Sequence, residues 1–287
     1  MRSRRQAMDW SLVLASQGIE VAIDYSDESA GWGLLVANAE LERSIQALRQ
    51  YHLENRQPVW QQEVLHSGLV FDWVSFGWVL LSAFFFYLDR LDLQSRLQLA
   101  GRMDSALVAH GQWWRLFTAL WLHADIAHLT SNLTIGFVLL GLVMGRYGTG
   151  IGLLAACLAG AGGNEFAGLL SGMLSDEPHR SIGASGMVLG CLGLLAVQSF
   201  SLWRRTPHAT KAMVTGISGG VMLFLLLGLA PGSDIPAHFG GFASGLLLGT
   251  MLVVTSKITR KPAINLVSVF LFVLLVIVPW WLALRHF

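Results

Sequence analysis

Two short motifs, far apart in the sequence, each place one reactive side chain at the start of an apolar stretch. The G-x-S-G motif at 183–186 carries Ser185, and the A-H-x2-G motif at 237–241 carries His238. A serine hydroxyl becomes a good nucleophile when a base takes its proton, and histidine is the most frequent base. Because ionisable side chains close to lipid are costly, their presence indicates a functional site. The pair therefore predicts nucleophilic catalysis.

Small residues would let the two apolar segments approach closely enough for Ser185 and His238 to meet. They recur at every fourth position, as Gly186 and Gly190 in the first segment and as Ala237, Gly241, Gly245 and Gly249 in the second. Such stripes permit close contact between membrane helices. Glycine at 183 also leaves the backbone before Ser185 free to turn sharply. The structural alternatives are that Ser185 only caps a helix and that His238 is an interfacial histidine.

Acidic partners for His238 are not evident in the sequence. Asp234 is close to His238 but lies in a short loop, so a two-residue Ser–His mechanism is favoured. Glu165 falls within an apolar segment beside two glycines and an asparagine, and we expect it to face a water-accessible cavity.

A third cluster of polar residues comprises His123, His128 and Asn132. His128 and Asn132 are four residues apart and share a helix face, where both could donate hydrogen bonds to a developing oxyanion. His123 and His128 lie about 140° apart around a regular helix, so they cannot face one point. We expect His123 to support a neighbouring loop. No glutamate follows His123, so the H-E-x-x-H zinc motif is missing, and neither a metal nor a cofactor is predicted.

Composition places the chain among membrane proteins. Of its 287 residues, 54% are hydrophobic and 13% charged, whereas soluble domains carry about 25% charged residues. The net charge of +1 gives no basic face of the kind that binds nucleic acid, so no nucleic-acid partner is predicted. Cys157 and Cys191 fall within apolar segments and are interpreted as small packing residues.

Seven segments are apolar over about the length that a membrane span needs. They lie at 73–88, 117–143, 151–173, 185–203, 212–230, 237–255 and 264–283. The third and fifth are rich in glycine, and we expect them to pack inside the bundle. Because the first span starts after residue 70, the N-terminus is not expected to be a cleavable signal peptide.

The N-terminal residues have a different pattern. Three short β-like runs, at 10–15, 19–24 and 32–37, precede a helix for which Asn38 is the expected N-cap. This pattern predicts a small soluble domain of β-β-β-α order. We assign the domain to residues 1–57, a polar linker to 58–70, the membrane core to 71–257 and an additional helix to 258–287.

Basic residues predict the orientation of the spans. The short loops after spans 2, 4 and 6 carry Arg146, Arg204, Arg205, Lys211, Lys257, Arg260 and Lys261. The positive-inside rule places these loops and the N-terminal domain in the cytoplasm. Spans 2, 4 and 6 then begin near the outer face, which puts the polar cluster, Ser185 and His238 in one layer. Residues 89–116 contain four arginines and two adjacent tryptophans, and are expected to form a structured loop in the outer interface.

Taken together, five motifs resemble those of the rhomboid intramembrane serine proteases, in the family's order, over about residues 70–255. They are W-R at 114–115, H-x4-H-x3-N at 123–132, G-N at 163–164, G-x-S-G at 183–186 and A-H-x2-G-x3-G at 237–245. The resemblance implies an all-α polytopic membrane protein with a six-helix bundle, here with one extra C-terminal span and a preceding small α+β domain. More loosely, that domain resembles the cytosolic domain of some bacterial rhomboids.

The resemblance also implies roles for individual residues. Ser185 would be the nucleophile and His238 its general base and then acid. His128, Asn132 and the Ser185 backbone N–H would form the oxyanion hole beside Gly183, while Trp114, Arg115 and His123 would give structural support. The expected substrates are transmembrane proteins that contact the enzyme within membrane lipid, and the expected location is a bacterial inner membrane, with the site facing the periplasm.

Two features depart from the common bacterial pattern. The family often has a glutamate at the cytoplasmic end of the second span, where this chain has the sequence L-V-M-G-R at 142–146. The extra span at 264–283 carries no catalytic candidate, and we expect it to be peripheral. The alternative functions are a catalytically inactive relative that binds membrane clients and, with less support, a transporter with a midplane site.

Overall fold

A computed structural model describes residues 4–26, 31–54, 70–92, 94–175, 177–197, 218–220, 222, 233–256 and 261–286. The chain divides into two compact units, Met1–His66 and Ser67–Phe287. Most residues of the predicted fifth span at 212–230 and of the predicted linker at 58–70 lie outside the described residues.

In its described residues, the first unit has two helices and a hairpin. Its elements are α1 (Arg4–Ser16), β1 (Val21–Ser26), β2 (Gly31–Val36), a 3-10 turn (Asn38–Glu40) and α2 (Leu41–Glu54). The strands pair antiparallel, with Val21 opposite Val36 and Ser26 opposite Gly31. The two predicted strands that form this hairpin are therefore present, with bounds shifted by one or two residues.

The first predicted strand, at 10–15, is wrong because these residues belong to helix α1. Ala7 and Leu14 are both buried and lie seven residues apart, which is the spacing of one helix face. Good helix formers before residue 10 extend this periodicity towards the N-terminus. The strand prediction rests on the apolar residues 10–15 alone and therefore misses the helix.

The predicted N-cap at Asn38 is also wrong. Asn38 begins the 3-10 turn that precedes α2, and the cap position of this turn is Ala37, which makes no side-chain capping hydrogen bond. The Arg43 guanidinium instead ties the start of α2 to the end of α1 by donating to the Gln17 carbonyl oxygen at 2.9 Å.

The second unit is mostly helical. Its described elements are α3 (Ser75–Leu91), α4 (Arg96–Gly101), β3 (Met103–Asp104), α5 (Ser105–Ala109), α6 (Arg115–Thr118), a 3-10 turn (Ala119–Trp121), α7 (Ile126–Tyr147), α8 (Thr149–Leu174), β4 (Arg180–Ser181), α9 (Ser185–Ala196), α10 (Ile235–Val254) and α11 (Pro262–Arg285). Strands β3 and β4 pair antiparallel.

Four of the described helices, α7, α8, α10 and α11, are long and apolar enough to cross a membrane. In α8, 56% of the most apolar window is buried, against 33–39% in the other three. Helix α8 contacts α7, α9, α10 and α11. The expectation that the glycine-rich third span packs inside the bundle is therefore confirmed.

The predicted start of the second span, at residue 117, is wrong. Helix α7 begins at Ile126, where the Asp125 carboxylate caps it by accepting a hydrogen bond from the His128 N–H at 2.7 Å. The apolar residues before it, Leu120 to Leu122, are buried in the core without belonging to this helix. Their hydropathy therefore reflects burial in protein, not an additional turn of a membrane span.

Helix α11 is not peripheral, contrary to expectation. It packs against α8, α6 and α4, and four of its residues, Phe272, Val276, Trp280 and Ala283, belong to the main hydrophobic core. The Trp280 ring stacks on Phe85 of α3 with centroids 5.2 Å apart. The Asn265 side chain accepts hydrogen bonds from the first backbone N–H groups of α8, so α11 also caps the central helix.

The C-terminal end of α7 is the place where the family often has a glutamate. In this chain the residues that precede α3 pack against it. The Val70 backbone crosses directly over Gly145, and the Phe71 ring lies against Gly141. The Asp72 carboxylate then accepts a hydrogen bond from the hydroxyl of Thr149, the first residue of α8. Glycine at position 145 is required here, because a Cβ would overlap the Val70 carbonyl oxygen.

Candidate active site

Ser185 is the first residue of α9 and follows a tight turn. Gly183 in this turn has a φ of +131°, a backbone conformation that other residues rarely adopt. Its N–H donates to the Ala119 carbonyl oxygen at 3.0 Å, which fixes the turn against the segment before α7. The N–H of Ser185, in the first turn of a helix, has no acceptor within that helix.

His238 lies in the first turn of α10, and its ring meets the serine hydroxyl. The His238 Nε2 atom is 2.7 Å from Ser185 Oγ, and His238 is 5% exposed. Helix α10 is capped by the Asp234 carboxylate, which accepts from the Ala237 N–H at 3.1 Å. The residues singled out from two distant motifs are thus brought into hydrogen-bond contact at the starts of two adjacent helices.

His128 and Asn132 lie on α7 beside the serine turn. A Cβ built on Gly183 would be 2.8 Å from His128 Nε2 and 3.8 Å from Asn132 Nδ2. Asn132 is buried, and its Nδ2 has no hydrogen-bond partner among the described residues. A buried amide donor without a partner is costly and therefore requires an explanation.

His123 is fully buried just before α7. Because His123 lies outside α7, the separation of about 140° expected on a regular helix does not apply to it. The ring centroids of His123 and His128 are 5.2 Å apart. His123 Nε2 is 3.5 Å from the Ala184 N–H. Arg90 of α3 donates to the carbonyl oxygens of His123 and Ala124, a contact that the sequence did not indicate.

Trp114 and Arg115 lie in the structured segment before α7, and both are buried. Arg115 Nη1 donates to the carbonyl oxygens of Leu99 and Arg102, and Nε donates to Gln112. Trp114 stacks on His286, with ring centroids 5.1 Å apart. These contacts hold the short helices between α3 and α7 together. Nearby, Asn164 Nδ2 of α8 donates to the Leu116 carbonyl oxygen at 2.8 Å.

Two side-chain contacts fix the segment that leads into the serine turn. Arg180 Nε contacts Asp104 Oδ2 at 2.8 Å, and His179 Nε2 contacts Asp234 Oδ2 at 2.9 Å. The sequence places Asp234 near His238 but indicates neither contact. His179 is 55 positions from Asp234, and nothing in the local pattern predicts that they meet.

A cavity of about 1010 Å³ contains this arrangement. It is lined by Ser185, His238, His128 and Asn132, as well as by His179, Arg180 and Asp234. Glu165 lines a different cavity of about 570 Å³, between α8 and residues 103–109. The four groups that could perform acyl transfer therefore share one open cavity, and Glu165 is not among them.

Comparison with known proteins identifies relatives of the chain. A family model described as the rhomboid domain matches residues 110–255. RHOMBOID-like protein 4 from Arabidopsis thaliana is 38% identical over 162 residues, which cover 55% of this chain and 39% of the relative. RHOMBOID-like protein 1 from the same plant is 34% identical over 161 residues, with shares of 55% and 39%.

A bacterial relative, Rhomboid protease GluP from Bacillus subtilis (strain 168), is 32% identical over 158 residues, which are 53% of this chain and 28% of the relative. The aligned part of this chain thus spans less than half the length of these three relatives. The matched domain covers about half of the chain and includes every residue of the proposed Ser185 site from His123 to His238. The chain therefore belongs to the rhomboid family and is an integral membrane protein.

Proposed function

We propose that the chain is an intramembrane serine endopeptidase that cleaves transmembrane segments of other membrane proteins. The observation that carries the proposal is the 2.7 Å contact between His238 Nε2 and Ser185 Oγ in a cavity that also contains His128 and Asn132. A neutral imidazole at this distance can take the hydroxyl proton as the oxygen attacks a carbonyl carbon.

The first chemical step forms a covalent intermediate. The Ser185 oxygen bonds to the carbonyl carbon of the scissile peptide, its proton passes to His238 Nε2, and the carbonyl oxygen becomes an oxyanion. Asn132 Nδ2, a His128 ring N–H and the Ser185 backbone N–H are the donors that would stabilise this charge. His238 then gives its proton to the leaving amine, which breaks the C–N bond and leaves an acyl-enzyme.

The second step regenerates the enzyme. A water molecule attacks the acyl carbon while His238 takes one of its protons, and that proton returns to Ser185 Oγ as the new carboxylic acid leaves. Water would reach the site through the open cavity. Because peptide bonds in a helix are shielded by their own hydrogen bonds, the substrate must unwind locally, which glycine or other weak helix formers would favour. We place substrate entry beside the predicted fifth span, whose residues lie mostly outside the described part of the chain.

The orientation proposed from sequence follows from the loop charges. The N-terminal unit and the C-terminal ends of α7 and α10 would face the cytoplasm of a bacterial cell, and the starts of α9 and α10 would face outward. Many apolar side chains of α11 are exposed, including Leu266, Phe270 and Ile277, which suits contact with lipid.

Cleavage of a single-span substrate in proteoliposomes tests the proposal. Wild-type protein should cleave it, whereas Ser185→Ala and His238→Ala should each abolish cleavage while unfolding at nearly the wild-type temperature. Near-normal activity of His238→Ala would show that the base is elsewhere. The alternative, a catalytically inactive protein that binds membrane clients, predicts that all three proteins retain the substrate without cleaving it.

A further inference from the structure

The His179–Asp234 pair connects the two segments that carry the proposed dyad. His179 lies six residues before Ser185, and Asp234 lies four residues before His238. Their side chains meet at 2.9 Å and are 18% and 21% exposed, so the contact is largely shielded from solvent. Screening and solvation weaken such a pair less than they weaken an exposed one.

Further hydrogen bonds hold both His179 and Asp234 in place. The backbone N–H of His179 donates to Ser105 Oγ at 2.9 Å, and its carbonyl oxygen accepts from the Ser105 N–H at 3.0 Å. Asp234 caps α10 through Oδ1, and its backbone carbonyl oxygen accepts from the His238 N–H at 2.9 Å. A shift of His179 relative to Asp234 would therefore move the serine turn relative to the first turn of α10.

The surroundings favour the charged form of the carboxylate. Burial alone would raise the pKa of Asp234, but hydrogen bonds from His179, the Ala237 N–H and the Ser181 hydroxyl, together with the charge of His179, lower it below its usual value of 3.8. Asp234 thus bonds to the serine-bearing segment through His179.

We propose that His179 and Asp234 are positioning residues, which hold Ser185 Oγ within hydrogen-bond reach of His238 Nε2. They act through the dyad and not on the substrate, and this inference rests on the proposed function. Misplacing a reacting group by about 1 Å can cost about 100-fold in rate. Loss of the pair should therefore lower kcat, with little effect on KM.

The test compares kcat, KM and the rate of labelling by a fluorophosphonate, which reports the reactivity of Ser185 without a transmembrane substrate. For His179→Ala we expect kcat and the labelling rate to fall together, by about 10- to 100-fold, with KM within about twofold of wild type. His179→Gln retains an N–H donor of similar reach and should recover most of the loss. Asp234→Asn keeps an acceptor for the Ala237 N–H but alters the contact with His179. The double variant Asp234→Asn/His179→Ala should therefore lose no more kcat than the more damaging of the two single variants.

Glu177→Gln, which removes a charge from an exposed residue two positions away, is the matched control and should leave both rates unchanged. Two results would overturn the proposal. One is His179→Ala with both rates within about twofold of wild type; the other is a lowered unfolding temperature with no recovery by His179→Gln, which indicates a purely structural role. Wild-type protein that neither takes the label nor cleaves would contradict the proposed function itself, so the two failures are distinguishable.

Discussion

Gly241 of α10 packs directly against the carbonyl oxygen of Gly186 in α9, so closely that a Cβ on Gly241 would overlap that oxygen. Gly186 follows Ser185, and Gly241 lies three residues after His238. One turn further along the same two helices, Gly245 packs against Gly190 in the same way. The contact between these two helix backbones therefore helps to bring the side chains of Ser185 and His238 close to each other.

Gly241→Ala should separate the two helices and weaken the dyad. Overpacking of this kind costs about 1–3 kcal/mol, and we expect both the unfolding temperature and the rate of substrate cleavage to fall. Gly77→Ala is the control, because Gly77 of α3 has no described atom within 4 Å of the added Cβ. Wild-type activity in Gly241→Ala would show that the close approach is not needed for catalysis.

Asn132→Ala should reduce kcat by about 100- to 1,000-fold, the usual cost of losing one oxyanion donor. KM should change little, because the donor is needed mainly in the transition state. Thr134→Ala, which alters an exposed residue of the same helix, should behave as wild type. If Asn132→Ala instead raises KM and leaves kcat unchanged, its amide binds the ground state of the substrate.

Trp280→Ala should destabilise the membrane unit by about 3–5 kcal/mol, because it empties a large buried site. The adjacent Trp281 is 54% exposed, whereas Trp280 is 6% exposed. Trp281→Ala is therefore the matched control, and it loses mainly its contact with Arg285, worth about 1 kcal/mol or less. Thermal unfolding in detergent compares the two variants, and equal midpoints would restore the view that α11 is peripheral.

The Asp104–Arg180 pair should make stability depend on pH. Burial raises the pKa of Asp104, but the hydrogen bond and charge of Arg180 and the N–H groups of α5 outweigh it, so the folded pKa lies below 3.8. The stability from this carboxylate is therefore present above the unfolded pKa and is lost as the pH falls through the folded pKa. Asp104→Asn should lower the unfolding temperature at neutral pH, and the difference from wild type should vanish in strong acid. A difference that is the same at both pH values would contradict this account.

Local patterns were enough to single out Ser185 and His238 but not the contacts that hold them. The motif around Ser185 and the glycine spacing of α10 are encoded within a few residues, so they are visible in the sequence alone. Hydropathy does not distinguish a buried loop from a membrane span, and it therefore predicts that residues 120–122 belong to the second span. Long-range pairs such as His179–Asp234 and Phe85–Trp280 depend on tertiary packing and leave no periodic signal.

The central claim is that His238 activates Ser185, and labelling by a fluorophosphonate tests it most directly. The account predicts that folded wild-type protein takes the label, that Ser185→Ala takes none, and that His238→Ala is labelled at a greatly reduced rate. Folded wild-type protein that takes no label and cleaves no transmembrane substrate would contradict the account. Labelling of His238→Ala at the wild-type rate would contradict the proposed role of the histidine.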